Sequence, residues 1–186
     1  MDSVFEREHQ QLLKKVKNNQ NNGKTAKVFQ DLIYHYYDHH KRSFPWRETC
    51  DPYKVYISEI MLQQTQAPRV VEKYNAWVKK FPNFEALAKA SFDVVLGEWK
   101  GLGYNRRAKF VHQTAQKIIT EYQGGLPSTV EELEKLAGIG PNTARSVSAF
   151  AFNKPVVFIE TNIRAVYIHT FFPSKSDVAD STLMPI

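Results

Sequence analysis

The stretch LAGIGPNTARSVSAFAFNKPVVFIETN, residues 136–162, decides the fold. Gly138 and Gly140 stand either side of Ile139, Pro141 follows at once, and an apolar-rich run leads to Glu160. Glycines at this spacing permit positive φ or a close backbone approach to a ligand. Ile139 between them is placed to plug a core and hold the turn rigid. Proline at the first helical position preforms the next helix and removes an amide that would need a partner. The remaining amides of the turn and of that helix's first turn point outward, a cradle for one phosphate. Such a cradle fixes a protein on DNA without reading sequence. The same residues also suit an ordinary packing corner between two helices, and taken alone they leave both readings open.

Outward from the hairpin, the chain is helical in period. Val28, Phe29, Leu32, Ile33, Tyr36 and Tyr37 give the i, i+3, i+4 pattern of a helix over residues 25–40. Similar reasoning predicts helices over 5–17, 53–66, 68–80 and 104–122, with an asparagine-rich connector, NNQNNG, after the first. Asn83 and Ser91 are candidate N-caps for two short helices. Ser128 with Glu131 reads as a capping box opening a helix to Leu136. Pro141 opens another to Phe152, PVVFI is extended, and a last helix runs from Thr161 to Phe172. The predicted class is all-α, with no repeat at a solenoid period.

Twenty-five Lys and Arg against nineteen acids give a formal charge of +6, which favours a polyanionic partner without identifying it. The single cysteine, Cys50, excludes an internal disulfide and a cysteine-built metal cluster within these residues. His39, His40 and His112 show no zinc-ligand arrangement, so no metal site is expected. No apolar run is long enough to span a membrane, and MDSVFEREHQQLLKKVK is too charged for a secretory signal. The expected setting is intracellular, cytoplasmic or nucleoid-associated.

LAGIGPNTARSV resembles the helix-hairpin-helix of the base-excision DNA glycosylase superfamily. SEIMLQQTQ, WKGLGYNRRA and the spacing from hairpin to ETN are similar, more narrowly, to the adenine DNA glycosylase family, whose members remove adenine mispaired with 8-oxoguanine. The resemblance covers about Phe44 to Thr170. It implies a bilobal helical fold with a cleft between lobes, and a hairpin that grips the backbone beside an extruded nucleotide. The corresponding organisation is 1–50 as N-terminal helices partly belonging to the second lobe, 51–153 as the core lobe with its hairpin at 128–153, and 154–186 as a return segment. A base must leave the stack before its glycosidic bond can be reached. Gly138, Ile139, Gly140, Asn142 and Thr143 would then contact the DNA backbone, as would Lys100, Arg106, Arg107 and Lys109. Those four basic residues also suit a merely solvated helix face.

Cleaving a purine N-glycosidic bond needs a proton for the departing base and negative charge near the sugar cation. Glu59 lies among Ile57, Ile60, Met61 and Leu62, where burial would keep a carboxyl protonated. The resemblance sets it at the residue that protonates N7 of adenine and acts again with water. Without the resemblance, Ser58 or solvent would suffice to accommodate it. Glu160 matches the position where the family normally has the aspartate that stabilises the oxocarbenium ion, with Asn162 capping or bonding nearby. The added methylene leaves open a site competent in the aspartate role, a distinct branch with altered substrate geometry, or an impaired one that only binds lesions. Asn142 matches the position where strand-cutting members carry a Schiff-base lysine. Asparagine cannot do this, so monofunctional hydrolysis is expected.

Gln63, Gln64 and Thr65 resemble the family's wedge, Gln64 being the inserted residue, and Tyr104 resembles a second probe that stacks beside the partner base. Alone, Tyr104 would read as a packing residue. Trp46 and Arg47 in FPWR match the opening of the family domain, where the aromatic lines the adenine side of the cleft; Trp46 also suits the core. Relatives usually carry a [4Fe-4S] cluster on four cysteines, which are absent from these 186 residues. The expected partner is duplex DNA with a mismatch or damaged base, with self-association through an uncovered second-lobe face as a further expectation. Uracil, thymine or hypoxanthine excision is the alternative chemistry.

Overall fold

The computed structural model describes residues 3–17 and 23–184. Helix is the only regular element among them, as the periodicity predicts. The asparagine-rich connector, up to residue 22, and the last two residues lie outside the described part. The helices are α1 Ser3–Lys17, α2 Gly23–His40, α3 Pro52–Leu62, α4 Ala67–Lys80, α5 Phe84–Lys89, α6 Phe92–Trp99, α7 Arg106–Glu121, α8 Val130–Leu133, α9 Pro141–Phe152, α10 Thr161–Phe171 and α11 Asp180–Leu183.

They fall into two units. One comprises residues 43–158, the other 1–42 with 159–186. In the unit 43–158, α3 is the central helix. Tyr53, Val55, Tyr56, Ile57, Ser58, Ile60 and Met61 are all buried, which a helix apolar nearly all round requires. Asp51 starts it by accepting the Lys54 amide, with Pro52 in the first turn. α3 packs on α4 and α9, and α7 packs on α5 and α6. Trp77 and Trp99 meet edge to face, with centroids 5.4 Å apart, at the heart of this core. In the other unit, Leu12, Val16, Leu32 and Phe171 form one cluster, and Ile159, Val178 and Leu183 a second.

Several boundaries differ from the sequence expectation, among them the end of α8, at Leu133 rather than Leu136. α3 ends at Leu62 rather than Gln66, because Gln64 takes a left-handed φ of 53° in the turn that follows. α7 starts at Arg106 rather than Tyr104, whose φ is 49°. The cap of α8 is Thr129, which accepts the Glu132 amide, while the Ser128 carbonyl accepts the Ser148 hydroxyl at 2.9 Å. α9 matches its predicted limits and ends where Asn153 adopts φ 52°. Asn83 caps α5 through the Ala86 amide, whereas Ser91 precedes α6 without a side-chain cap bond. The α11 turn has no counterpart in the sequence reading.

Candidate active site and nucleic-acid interface

The hairpin turn is held from beneath by α7. Ile139 is 6% exposed and plugs the core as expected, and its amide donates to the Leu136 carbonyl. Thr114 on α7 donates to the Ala137 carbonyl, and the Phe110 ring lies directly under Gly138. A Cβ on Gly138 would come within 2.5 Å of that ring, and its φ is +76°, so glycine is required here twice over. Gly140 differs from the expectation. It sits at φ −93°, ψ 175°, which any residue adopts, with nothing within 4 Å of where a Cβ would stand. Its role is open space at an exposed helix start. Asn142 is exposed in the first turn of α9, and Thr143 is half-buried behind it. The α9 N-terminus carries amides lacking intrahelical acceptors and the positive end of the helix dipole, an arrangement suited to one phosphate.

Glu59 projects from α3 towards the same helix. Its Oε2 accepts a hydrogen bond from Ser146 Oγ at 2.6 Å, and Ser146 also lies 3.1 Å from the Thr143 carbonyl. Ser58 is not the residue that accommodates Glu59: its hydroxyl donates to Val55 within its own helix. Sequence reasoning missed Ser146. It falls four residues after Asn142 on the buried side of α9, between Ala144 and Val147, where a polar residue in an apolar stripe is a signal for a partner. The arrangement suits a carboxyl that changes protonation state. Ionised Glu59 accepts a hydrogen bond from the Ser146 hydroxyl; protonated Glu59 can donate to Ser146 Oγ while that hydroxyl turns to the Thr143 carbonyl.

The Gln63-Gln64-Thr65 turn closes with the Thr65 amide donating to Leu62, Gln63 at φ −56°, ψ 113° and Gln64 left-handed, the pattern of a type II turn. Gln63 is not an exposed wedge. Its Nε2 donates to Thr143 Oγ1 at 3.2 Å, tying the turn to the hairpin helix, and this leaves Gln64 as the exposed side chain. Tyr104 is 64% exposed at the tip of the turn formed by residues 101–105, so the core-packing reading of it fails.

Arg107 is corrected from a phosphate contact to an internal residue. It is 8% exposed, and its two Nη atoms donate to carbonyls and to one hydroxyl of the protein itself. Burial lowers its pKa from the ordinary value, with Tyr104 acting in the opposite direction. Lys100, Arg106 and Lys109 remain exposed, and the Arg106 guanidinium lies 5.0 Å from the centroid of the Phe110 ring that supports Gly138. Trp46 is likewise a core residue. It stacks on Phe44 at 4.9 Å, meets Tyr74 edge to face, and is 8% exposed, too enclosed to line a base pocket. Arg47 is exposed with its guanidinium 5.4 Å from the Phe44 ring centroid.

Glu160 and Asn162 belong to the other unit. Glu160 is exposed at the N-cap position of α10 without a side-chain cap bond, and Asn162 is exposed in that helix's first turn. His112 is satisfied within its own unit, beside the Ala90 carbonyl at 3.0 Å. Among the described residues no group of three or more His, Cys, Asp or Glu is placed to hold a metal ion, and the lone Cys50 is exposed. A four-thiolate cluster does not fit the residues present. No described helix is long and apolar enough to cross a membrane.

A glycine hairpin with an open helix start, and a carboxylate held against that same helix, mark a helix-hairpin-helix protein. The chain belongs to the HhH-GPD superfamily of base excision DNA repair proteins, whose family model matches residues 57–183. It is 42% identical over 132 residues to the adenine DNA glycosylase of Mycolicibacterium smegmatis, spanning 70% of this chain and 45% of that protein. It is 38% identical over 148 residues to that of Buchnera aphidicola subsp. Baizongia pistaciae, spanning 79% and 42%. The chain thus spans less than half the length of these relatives. Among solved structures, a thermostable thymine-DNA glycosylase aligns with TM-score 0.71 and 32% identity, over 75% of this chain and 65% of the other. An endonuclease III in a non-covalent DNA complex shares the fold, with TM-score 0.70 at 17% identity over 86% and 74%.

Removing the Ser146 hydroxyl should leave Glu59 less well placed without unfolding α9. On the function proposed below, Ser146→Ala is expected to slow base excision about tenfold, as loss of one hydrogen bond to a charged group implies, with the fold retained. Single-turnover rates alongside a melting curve check this.

Proposed function

We propose that the chain carries the catalytic portion of a monofunctional DNA glycosylase that hydrolyses the N-glycosidic bond of a flipped, mispaired base, adenine opposite 8-oxoguanine or guanine. The observation that carries this reading is the Glu59 to Ser146 bond, which puts a carboxyl on the hairpin helix beside the candidate phosphate cradle. The named adenine glycosylases at 38% and 42% identity support adenine as the base.

In this mechanism protonated Glu59 gives its proton to N7 of the extruded adenine. The C1′–N9 bond breaks, its electron pair leaves with the base, and positive charge develops on the sugar. The sequence match assigns to Glu160 the negative charge that such a cation needs. Water adds at C1′ and yields its proton to the Glu59 carboxylate, which restores the acid. Asn142 has no amine with which to form a Schiff base, and strand cleavage by that route does not follow. Gln64 fills the space the base vacates, and Tyr104 stacks by its partner.

The likeness to a thymine-DNA glycosylase favours mismatched thymine as the second reading. A panel of fluorescent duplexes separates the two: A opposite 8-oxoguanine, A:G, T:G, U:G and hypoxanthine:T, developed with and without alkali. Alkali-dependent cleavage confined to the adenine duplexes is expected. Cleavage only at T:G or U:G would move the substrate to pyrimidines, and tight binding without cleavage would leave a lesion-binding module. Glu160→Gln should slow the reaction about 10²-fold, whereas Glu160→Asp keeps the charge and should cost less. A faster aspartate variant would mean that the added methylene disables the site.

A further inference from the structure

Arg107 reaches into two turns at once. Nη1 lies 2.9 Å from the Ile60 carbonyl, 3.1 Å from that of Met61 and 2.6 Å from that of Gln63; these are the last turn of α3 and the start of the Gln64 turn. Nη2 lies 3.1 Å from Thr65 Oγ1 on the far side of Gln64, and 3.1 Å and 3.3 Å from the Leu102 and Gly103 carbonyls just before Tyr104. Each nitrogen has two hydrogens for three acceptors, so the bonds are shared. The guanidinium also lies 5.5 Å from the Trp99 ring centroid and 5.4 Å from that of Tyr104. The two turns whose tips are left-handed and exposed, at Gln64 and Tyr104, therefore share one buried cation. Its partners include five carbonyls and no carboxylate. This geometry needs a planar fork, because a lysine ammonium is a compact charge that cannot reach both turns with paired donors.

We propose that Arg107 is a positioning residue that couples the Gln64 and Tyr104 turns, so that the two side chains enter the base stack as one rigid two-pronged unit. This rests on the reading, given above, that both tips meet DNA. Left-handed non-glycine residues are costly and persist only where their surroundings fix them. Here a single side chain fixes the flanks of both. If one prong is lost, the other is still held but has no stack to share, so most of the benefit of the pair goes with either residue.

The test is a double-mutant cycle in two backgrounds. Single-turnover excision from an A:8-oxoguanine duplex is measured for the native protein, Gln64→Ala, Tyr104→Ala and the double variant, then for the same set carrying Arg107→Lys. In the native background the combined loss should fall short of the product of the single losses by about tenfold, and in the Arg107→Lys background the two losses should multiply. An equal shortfall in both backgrounds, or none in the native one, overturns the coupling. If neither single variant slows excision while the native protein is active, the reading of the two tips fails, and the proposal with it. Should Arg107→Lys fail to fold, Thr65→Val serves instead: it removes the hydroxyl that accepts from Nη2 and donates to the Gln63 carbonyl at 3.2 Å, loosening the Gln64 turn from Arg107 while the Tyr104 turn keeps its bonds, and the shortfall should drop by about threefold. An unchanged shortfall there overturns the proposal.

Discussion

Glu59→Gln is expected to abolish base excision, by about 10³-fold or more, while the protein stays folded and still binds DNA. Glutamine has nearly the same shape as glutamate, and its amide oxygen can still accept the Ser146 hydroxyl that lies 2.6 Å from Oε2. What it loses is a transferable proton and the negative charge that remains once the proton has gone. Position is preserved and chemistry removed, so the binding curve for an A:8-oxoguanine duplex should be near native. A loss of binding in parallel with rate would make Glu59 a structural residue. The contrast with Ser146→Ala is part of the expectation, since that variant misplaces the acid but does not delete it.

The second large effect is on stability. Gly138→Ala must place a Cβ within 2.5 Å of Phe110 Cδ2 and 2.9 Å of its Cβ, at φ +76°. Both penalties act together, because the ring projects from α7 against the hairpin and has the Arg106 guanidinium 5.0 Å from its centroid. A destabilisation of about 2–4 kcal/mol is expected from the left-handed backbone and the overpacking combined. Gly140→Ala makes the control. Its backbone is unstrained and its surroundings are open, so stability should change by less than about 1 kcal/mol, the range of N-cap exchanges. Its new methyl group would stand over the helix start, where a phosphate approaches, and DNA affinity should fall. Chemical denaturation and a DNA titration on both variants check the pair; equal stability losses would contradict this account.

These two glycines also show how far the sequence could be read. Their spacing, with Ile139 and Pro141, located the hairpin and its helix, because turn geometry and helix starts are local properties of a few residues. That only Gly138 is strained depends on Phe110, a residue far earlier in the chain, which no local pattern reveals. Helix periods located the core for the same reason that they missed the ends of α3 and α7. Apolar spacing records which face is buried, not where a left-handed residue such as Gln64 or Tyr104 breaks the helix. Arg107 differs from its sequence reading on this account, and Trp46 takes the core alternative that the sequence left open. Charge beside a glycine turn suits phosphate, and an aromatic in a loop suits a base, until tertiary packing buries both. Glu59 was legible as an anomaly in an apolar helix, whereas its partner Ser146 lies 87 residues away and is visible only once α3 meets α9.

The most direct test of the account is product identification by mass spectrometry after one turnover of an A:8-oxoguanine duplex with the native protein and with Glu59→Gln. Free adenine and an uncut abasic strand from the native protein, with neither from the glutamine variant, is the predicted result. Equal adenine release by both proteins would contradict the assignment of Glu59 as the acid, and a cut strand without alkali would contradict monofunctional hydrolysis.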